Sequence, residues 1–189
     1  MLQLATKLGL SATPQTWLCK IFPKFCSKFG LYQLSGTADR KHIKIFTFKE
    51  RKSPTRYIVA QTPIEYHCPD LQIFIKRKPF LWNFQKVLDP NFTTINDPIL
   101  DGKITISSND KALSRKIFSY EEICEEMYQV WPTRNSPGTL LISSNFITYH
   151  EPARMVRSVN RNRIAHATKL ICDISDVVKL TVPHQHPSQ

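Results

Sequence analysis

His42-Ile43-Lys44-Ile45-Phe46-Thr47-Phe48-Lys49, then Glu50-Arg51-Lys52-Ser53-Pro54-Thr55, then Arg56-Tyr57-Ile58-Val59-Ala60-Gln61, is the stretch whose reading decides the fold class. Its first part alternates Ile43 and Ile45 with Phe46 and Phe48, its last part carries Tyr57, Ile58 and Val59, and the middle is polar with a proline. Two β-forming runs around a polar turn predict a hairpin. Working outward, Leu71 to Ile75 reads as a third strand, reached through Pro63 and Pro69, and Lys103 to Ser107 as another, alternating Ile104 and Ile106. Thr139–Ser143 and Phe146–His150 predict a second hairpin around Ser144-Asn145. Residues 76–98 hold three prolines and read as loop with at most a short helix.

Helical periodicity takes over between and after these strands. One helix is expected from about Ser108 or Asn109, with Ala112, Leu113 and Ile117 on one side. A second opens with Ser119-Tyr120-Glu121-Glu122, a capping-box pattern in which the serine caps one amide and Glu122 reaches back. Its inner face is Ile123, Cys124, Met127, Tyr128 and Trp131, and Pro132 ends it. The longest helix, about Met155 to Leu180, sets Val156, Val159, Ala167, Leu170, Ile171, Ile174 and Val177 against Arg154, Arg157, Arg161 and Lys169. Arg163 falls beside the apolar face, which predicts snorkelling or a buried carboxylate partner. The expected fold class is therefore α+β: an antiparallel sheet of hairpins with helices on one face and a long C-terminal helix closing the core.

Residues 1–36 read as an N-terminal amphipathic appendage, 37–182 as a single α+β domain and 183–189 as a disordered tail. Within the appendage a short helix should run from Leu2 to Leu8 and stop at Gly9. Beyond it, Phe22, Phe25 and Phe29 share a helical face with Leu18, while Lys20, Lys24 and Lys28 lie opposite. Pro23 interrupts that stripe and argues against a continuous helix.

Composition narrows the classes. A hydrophobic content of 41% suits a globular protein. No apolar run nears the ~18–20 residues of a membrane span, and Met1 to Leu10 lacks the form of a signal peptide, so the expected location is the cytoplasm, or the periphery of the inner membrane. Five scattered cysteines without a C-x-x-C pair indicate neither a zinc site nor a redox dithiol. The formal charge is +11 and lies at the ends: residues 1–56 hold eleven Lys/Arg against Asp39 and Glu50, residues 154–189 hold six against two acids, and the middle is near neutral.

No catalytic or metal-binding constellation stands out, and no cofactor motif: there is no G-x-S-x-G elbow, no phosphate-cradling glycine loop, and His67 beside Cys68 would point away from it on an extended segment. Glu121, Glu122, Glu125 and Glu126 are explained by the favourable dipole at a helix start. What remains is cationic surface. Arg40, Lys41, Lys44, Lys49, Arg51, Lys52 and Arg56 gather on one hairpin with Phe46, Phe48 and Tyr57 interleaved, and Arg154, Arg157 and Arg161 form a second stripe. Phe22, Phe25, Phe29, Lys20, Lys24 and Lys28 are the expected membrane contacts.

Leu4-Ala5-Thr6-Lys7-Leu8-Gly9-Leu10, Phe22-Pro23-Lys24-Phe25, Phe46-Thr47-Phe48, Thr55-Arg56-Tyr57-Ile58-Val59 and Asp89-Pro90-Asn91-Phe92 together resemble, in order and spacing, a group of uncharacterised and often membrane-anchored bacterial proteins. The resemblance implies the α+β order of elements over nearly the whole chain and a place at or near a membrane, and it supplies no activity. The sequence thus sets up a non-enzymatic interaction domain that docks on an anionic surface, either a membrane leaflet or a membrane complex. Nucleic-acid binding through the basic hairpin is the second expectation, and an enzyme whose site is not visible in sequence the third.

Overall fold

The alternation of Ile43 and Ile45 with Phe46 and Phe48 becomes the central hairpin of a large antiparallel sheet. The structure, a computed structural model, describes residues 2–14, 32–38, 40–49, 55–64, 70–78, 89–153 and 158–181. Its strands are β1 (Ser11–Pro14), β2 (Tyr32–Ala38), β3 (Lys41–Lys49), β4 (Arg56–Pro63), β5 (Gln72–Arg77), β6 (Phe92–Thr93), β7 (Ile104–Ser108), β8 (Thr139–Ser143) and β9 (Phe146–Pro152). Among the described residues they form one sheet in the order β1-β2-β3-β4-β9-β8-β5-β7-β6, every pair antiparallel. The helices are α1 (Leu2–Leu8), α2 (Pro98–Lys103), α3 (Lys111–Ile117), α4 (Glu121–Val130) and α5 (Ser158–Thr181). The α+β expectation, with helices on one face and a long last helix, is the fold observed.

One face of the sheet is the floor of the core. Leu34, Ile43, Ile45, Ala60, Ile73, Ile75, Ile106, Leu140, Ile142, Ile147 and Tyr149 all point to it and are buried, as the period of two along each strand requires. The roof is α5, whose 24 residues span roughly 36 Å, joined by α1, α3 and α4. Ala167, Leu170, Ile171, Ile174 and Val177 are buried along α5, and Ile123, Met127, Val130 and Trp131 along α4. Removing that much aliphatic surface from water is what holds the two layers together.

Two local expectations change. The capping box before α4 does not form: the Ser119 hydroxyl donates to the Lys116 carbonyl at 2.8 Å, and Tyr120, at the cap position, makes no side-chain cap bond. The reason is the end of α3 immediately upstream, whose open carbonyls compete for the same hydroxyl. Helix α3 starts later than Asn109 because Asp110 caps it, accepting from the Leu113 N–H at 2.9 Å, while the Asn109 side chain accepts from the Gln72 N–H. The N-terminal helix ends as expected. Gly9 takes a φ of 63°, and the Gly9 and Leu10 N–H groups donate to the Thr6 and Ala5 carbonyls, closing the helix with a left-handed residue. Leu4, Ala5 and Leu10 enter the core, and β2 runs across the 36/37 boundary expected from sequence.

Candidate anion-binding end of the sheet

Strand parity sorts the charges. On the side of the sheet away from the helices, one cross-strand row runs Phe46, Val59, His150, Thr139, Lys76, and the next runs Ser35, Lys44, Gln61, Thr148, Leu141, Phe74, Ser107. Among the described strand residues Glu151 is the single carboxylate, and it points the other way, into the core. Among the described residues the outer face carries Lys44, Lys76, His42 and His150 among aromatic rings, and the Asp89 carboxylate accepts from the Ser107 hydroxyl at its edge. Lys76 lies over the Phe74 ring, 5.6 Å from its centroid.

The antiparallel registers also divide the sheet lengthwise. Lys49 pairs with Arg56, Tyr57 with Pro152, His150 with Thr139, Thr139 with Lys76, and Arg77 with Ile104. One end of the sheet thus gathers Lys49, Arg56, Lys76 and Arg77, all exposed, with Lys78 and Lys103 half-buried behind them. The Lys78 N–H donates to the Lys103 carbonyl at 2.7 Å, which ties those two together. Helix α5 starts at this end too, since Arg163 reaches Glu151 there and Asp176 reaches Lys41 at the other. Its N-terminal dipole adds to the positive potential. We call this the Lys49 end.

Among the described residues, the strand carboxylate near the Lys49 end is already engaged. Glu151, fully buried, accepts from Arg163 Nε at 2.5 Å and Nη2 at 3.1 Å, and from the Tyr149 hydroxyl at 2.8 Å. Of the two outcomes that the phase of Arg163 leaves open, this is the buried carboxylate partner. Burial alone would push the Arg163 guanidinium down, but the Glu151 carboxylate leaves it above its ordinary value. Burial, then the charge of Glu151, pushes Tyr149 well up, so it stays a donor. Tyr149 fits because residue 138 is glycine: a Cβ there would overlap the phenol, while the Gly138 carbonyl accepts from Trp131 Nε1 at 3.1 Å.

Around Lys103, Asp97 caps α2 through the Ile99 and Leu100 N–H groups and also accepts from the Tyr128 hydroxyl. Burial pushes Asp97 up, but the Tyr128 bond and the two backbone donors outweigh it and hold the carboxyl below its ordinary value. The same bond, helped by burial, pushes Tyr128 up to about 12. Asp101 accepts from the Ile95 N–H, and burial raises it. Burial followed by the charges of Asp97 and Glu121 pushes the Cys124 thiol up, away from the thiolate that nucleophilic chemistry uses. On the helical layer Glu126 accepts from Lys169 at 2.7 Å and lies 2.8 Å from His166 Nδ1. No group of three or more His, Cys, Asp or Glu is assembled to hold a metal ion among the described residues.

The residues singled out from sequence separate in space. Lys44, Lys49 and Arg56 lie on the outer face or at the Lys49 end. Arg40 and Lys41 lie at the opposite end of β3, roughly 27 Å away at about 3.4 Å per residue. Lys41 is turned inward and pairs with Asp176 at 2.7 Å. Arg161 is on α5 and donates to the Gln3 side chain. Arg51, Lys52, Arg154, Arg157, Lys20, Lys24, Lys28, Phe22, Phe25 and Phe29 lie outside the described residues, as do His67 and residues 183–189. Sequence reasoning passed over Lys76, Arg77, Lys78 and Lys103, although the first three are a visible Lys-Arg-Lys run.

Fold and site together define an α+β domain: an antiparallel sheet with helices on one side and, among the described residues, exposed basic side chains at one end of its strands. No family model matches the chain, and no curated protein matches it. Among solved structures it is similar to the mycobacterial trehalose monomycolate transport factor A, TtfA, with a TM-score of 0.55 and 9% identity over 97% of this chain and 95% of that one. The likeness is one of fold. No helix among the described residues is long and apolar enough to cross a membrane.

Proposed function

We propose that this chain is a non-enzymatic interaction domain that docks, by the Lys49 end of its sheet, on an anionic phospholipid leaflet at the periphery of a membrane. The observation that carries the reading is that Lys49, Arg56, Lys76 and Arg77 are exposed at one end of the sheet, with no exposed carboxylate among the described strand residues. Each basic residue near an anionic leaflet contributes about 1 kcal/mol, so such a cluster is enough for peripheral attachment. The cations are spread across a rim rather than along a groove, which suits a plane of headgroups better than the linear track of a nucleic-acid backbone. The structural neighbour is named for transport and not for catalysis, which agrees with a non-enzymatic role.

Co-sedimentation with vesicles tests this. Binding to phosphatidylcholine vesicles containing phosphatidylserine or phosphatidylglycerol should be clear at low salt, weaken as salt rises, and be absent on pure phosphatidylcholine. Equal binding to both kinds of vesicle would remove the reading. Salt-sensitive binding of single- or double-stranded nucleic acid with no vesicle binding would replace it with the nucleic-acid one.

A further inference from the structure

A nine-stranded sheet cannot lie flat on a bilayer, and that limits where contact takes place. Neighbouring strands rotate by roughly 20–25°, so the outer face turns through well over a right angle between β1 and β6. Only one region of it can meet a plane at a time. Two rims carry an exposed aromatic ring. At the Lys49 end it is Phe48, 52% exposed; at the other it is Phe146, 42% exposed.

Their surroundings differ. Phe48 faces Tyr57 across the β3–β4 pair, and the next pair along is Lys49 with Arg56, on the opposite side of the ribbon. Phe146 faces Pro63 and Ser143, and that end of the sheet holds the exposed acids Asp70, Asp110 and Asp176. An aromatic ring flanked by long cationic stems is the arrangement that sits at the headgroup level. The ring enters the acyl boundary and the charged tips stay with the phosphates.

Resting on the docking reading above, we infer that Phe48 is the residue that inserts, with the Lys49 end dipping into the leaflet and Tyr57 beside it at the headgroup level. Phe48 thereby selects a bilayer over a soluble polyanion of equal charge, because a polyanion offers no apolar layer for the ring to enter. The occupant is an anionic phospholipid bilayer, and the chemistry that recognises it is charge at the surface and a phenyl ring beneath it.

The test compares Phe48→Ala with Phe146→Ala on two probes, vesicles containing phosphatidylserine and dextran sulfate. Burying a half-exposed phenyl ring predicts that Phe48→Ala lowers vesicle partitioning roughly five- to twentyfold while dextran sulfate binding changes less than twofold. Phe146→Ala should move neither by more than about twofold, and Phe48→Trp should restore or exceed native partitioning. Thermal melting of each variant confirms that the fold is intact, as the exposure of both rings leads one to expect. Vesicle binding unchanged in Phe48→Ala would overturn insertion and leave charge-driven docking standing. A parallel loss on both probes would overturn selectivity for the bilayer. Absence of vesicle binding by the native chain would overturn both readings.

Discussion

At the Lys41 end of β3 the cation is folded into the core and met by Asp176 at 2.7 Å, with the acids Asp70 and Asp110 on the same side of the molecule. At the Lys49 end of the same strand, Lys49 and Arg56 stand exposed beside each other, and the nearest strand carboxylate, Glu151, is withdrawn into the core and held by Arg163 and Tyr149. The same strand thus pairs its charge with a helix at one end and exposes it at the other. The difference teaches that positive charge in this chain is informative only after the carboxylates that could cancel it have been located.

The largest effect should come from breaking the pair that withdraws Glu151. Arg163→Met leaves a fully buried carboxylate without its guanidinium, which costs about 3–5 kcal/mol. For a chain of this size that corresponds to a drop of roughly 6–20 °C in Tm, measurable by calorimetry. A smaller loss would mean that Glu151 reaches water, and the contrast between the two ends would weaken. Next comes Gly138→Ala, whose methyl group overlaps the Tyr149 phenol and forces the ring off Glu151; about 1–3 kcal/mol of destabilisation is expected in denaturant titrations.

The open end should behave in the opposite sense. Arg77→Ala removes an exposed side chain and should leave stability within about 0.5 kcal/mol, while weakening binding to anionic vesicles roughly fivefold. Lys41→Met should cost about 1 kcal/mol or less, because Asp176 is 53% exposed and remains hydrated when its partner is removed. It should also leave vesicle binding unchanged, which separates the two ends by a single assay. The smallest effect is alkaline. Because Tyr128 is raised to about 12, its contribution to stability is fully present below pH 10 and is lost as pH rises through its folded value. Absorbance near 295 nm should show this phenol ionising after an ordinary tyrosine, and Tyr128→Phe should remove its share of the late absorbance while that of the buried Tyr149 remains.

Much of this architecture can be read from residues that decide locally. Period-two runs mark β3, β4, β8 and β9, the 3.6 period of Ala167, Leu170, Ile171, Ile174 and Val177 marks α5, and Gly9 marks the end of α1. The phase of Arg163 leaves snorkelling and a buried carboxylate both open, and the structure takes the second, with Glu151 on a strand. Strand order is different in kind. It depends on which hairpin packs beside which, and nothing local places β5 between β8 and β7 or β9 beside β4.

The candidate site suffered from the same limit. Counting charge by stretches of sequence, the region 57–110 is near neutral, so Lys76-Arg77-Lys78 is cancelled on paper by Glu65, Asp70, Asp89, Asp97, Asp101 and Asp110. In space those described acids cap helices, shape turns or lie at the other end, and the basic run lies at the same end of the sheet as Lys49 and Arg56, with β9 and β8 between them. Conversely Arg40 and Lys41, neighbours of Lys44 in sequence, are carried away by the length of β3. The Ser119 capping box fails for a related reason, since the competing Lys116 carbonyl belongs to the preceding helix.

The order of strands has a consequence for synthesis. Tyr57 on β4 finds its partner in Pro152 on β9, and β5 must wait for β8. Until the last third of the chain leaves the ribosome, β4 exposes an unpaired flank of N–H and C=O groups, and Ile43, Ile45 and Ala60 have no α5 to cover them. Such distant pairings slow folding and leave partly assembled sheets open to sticking together. A ribosome-bound chain ending before residue 139 should therefore recruit holdase chaperones, and release them once α5 emerges.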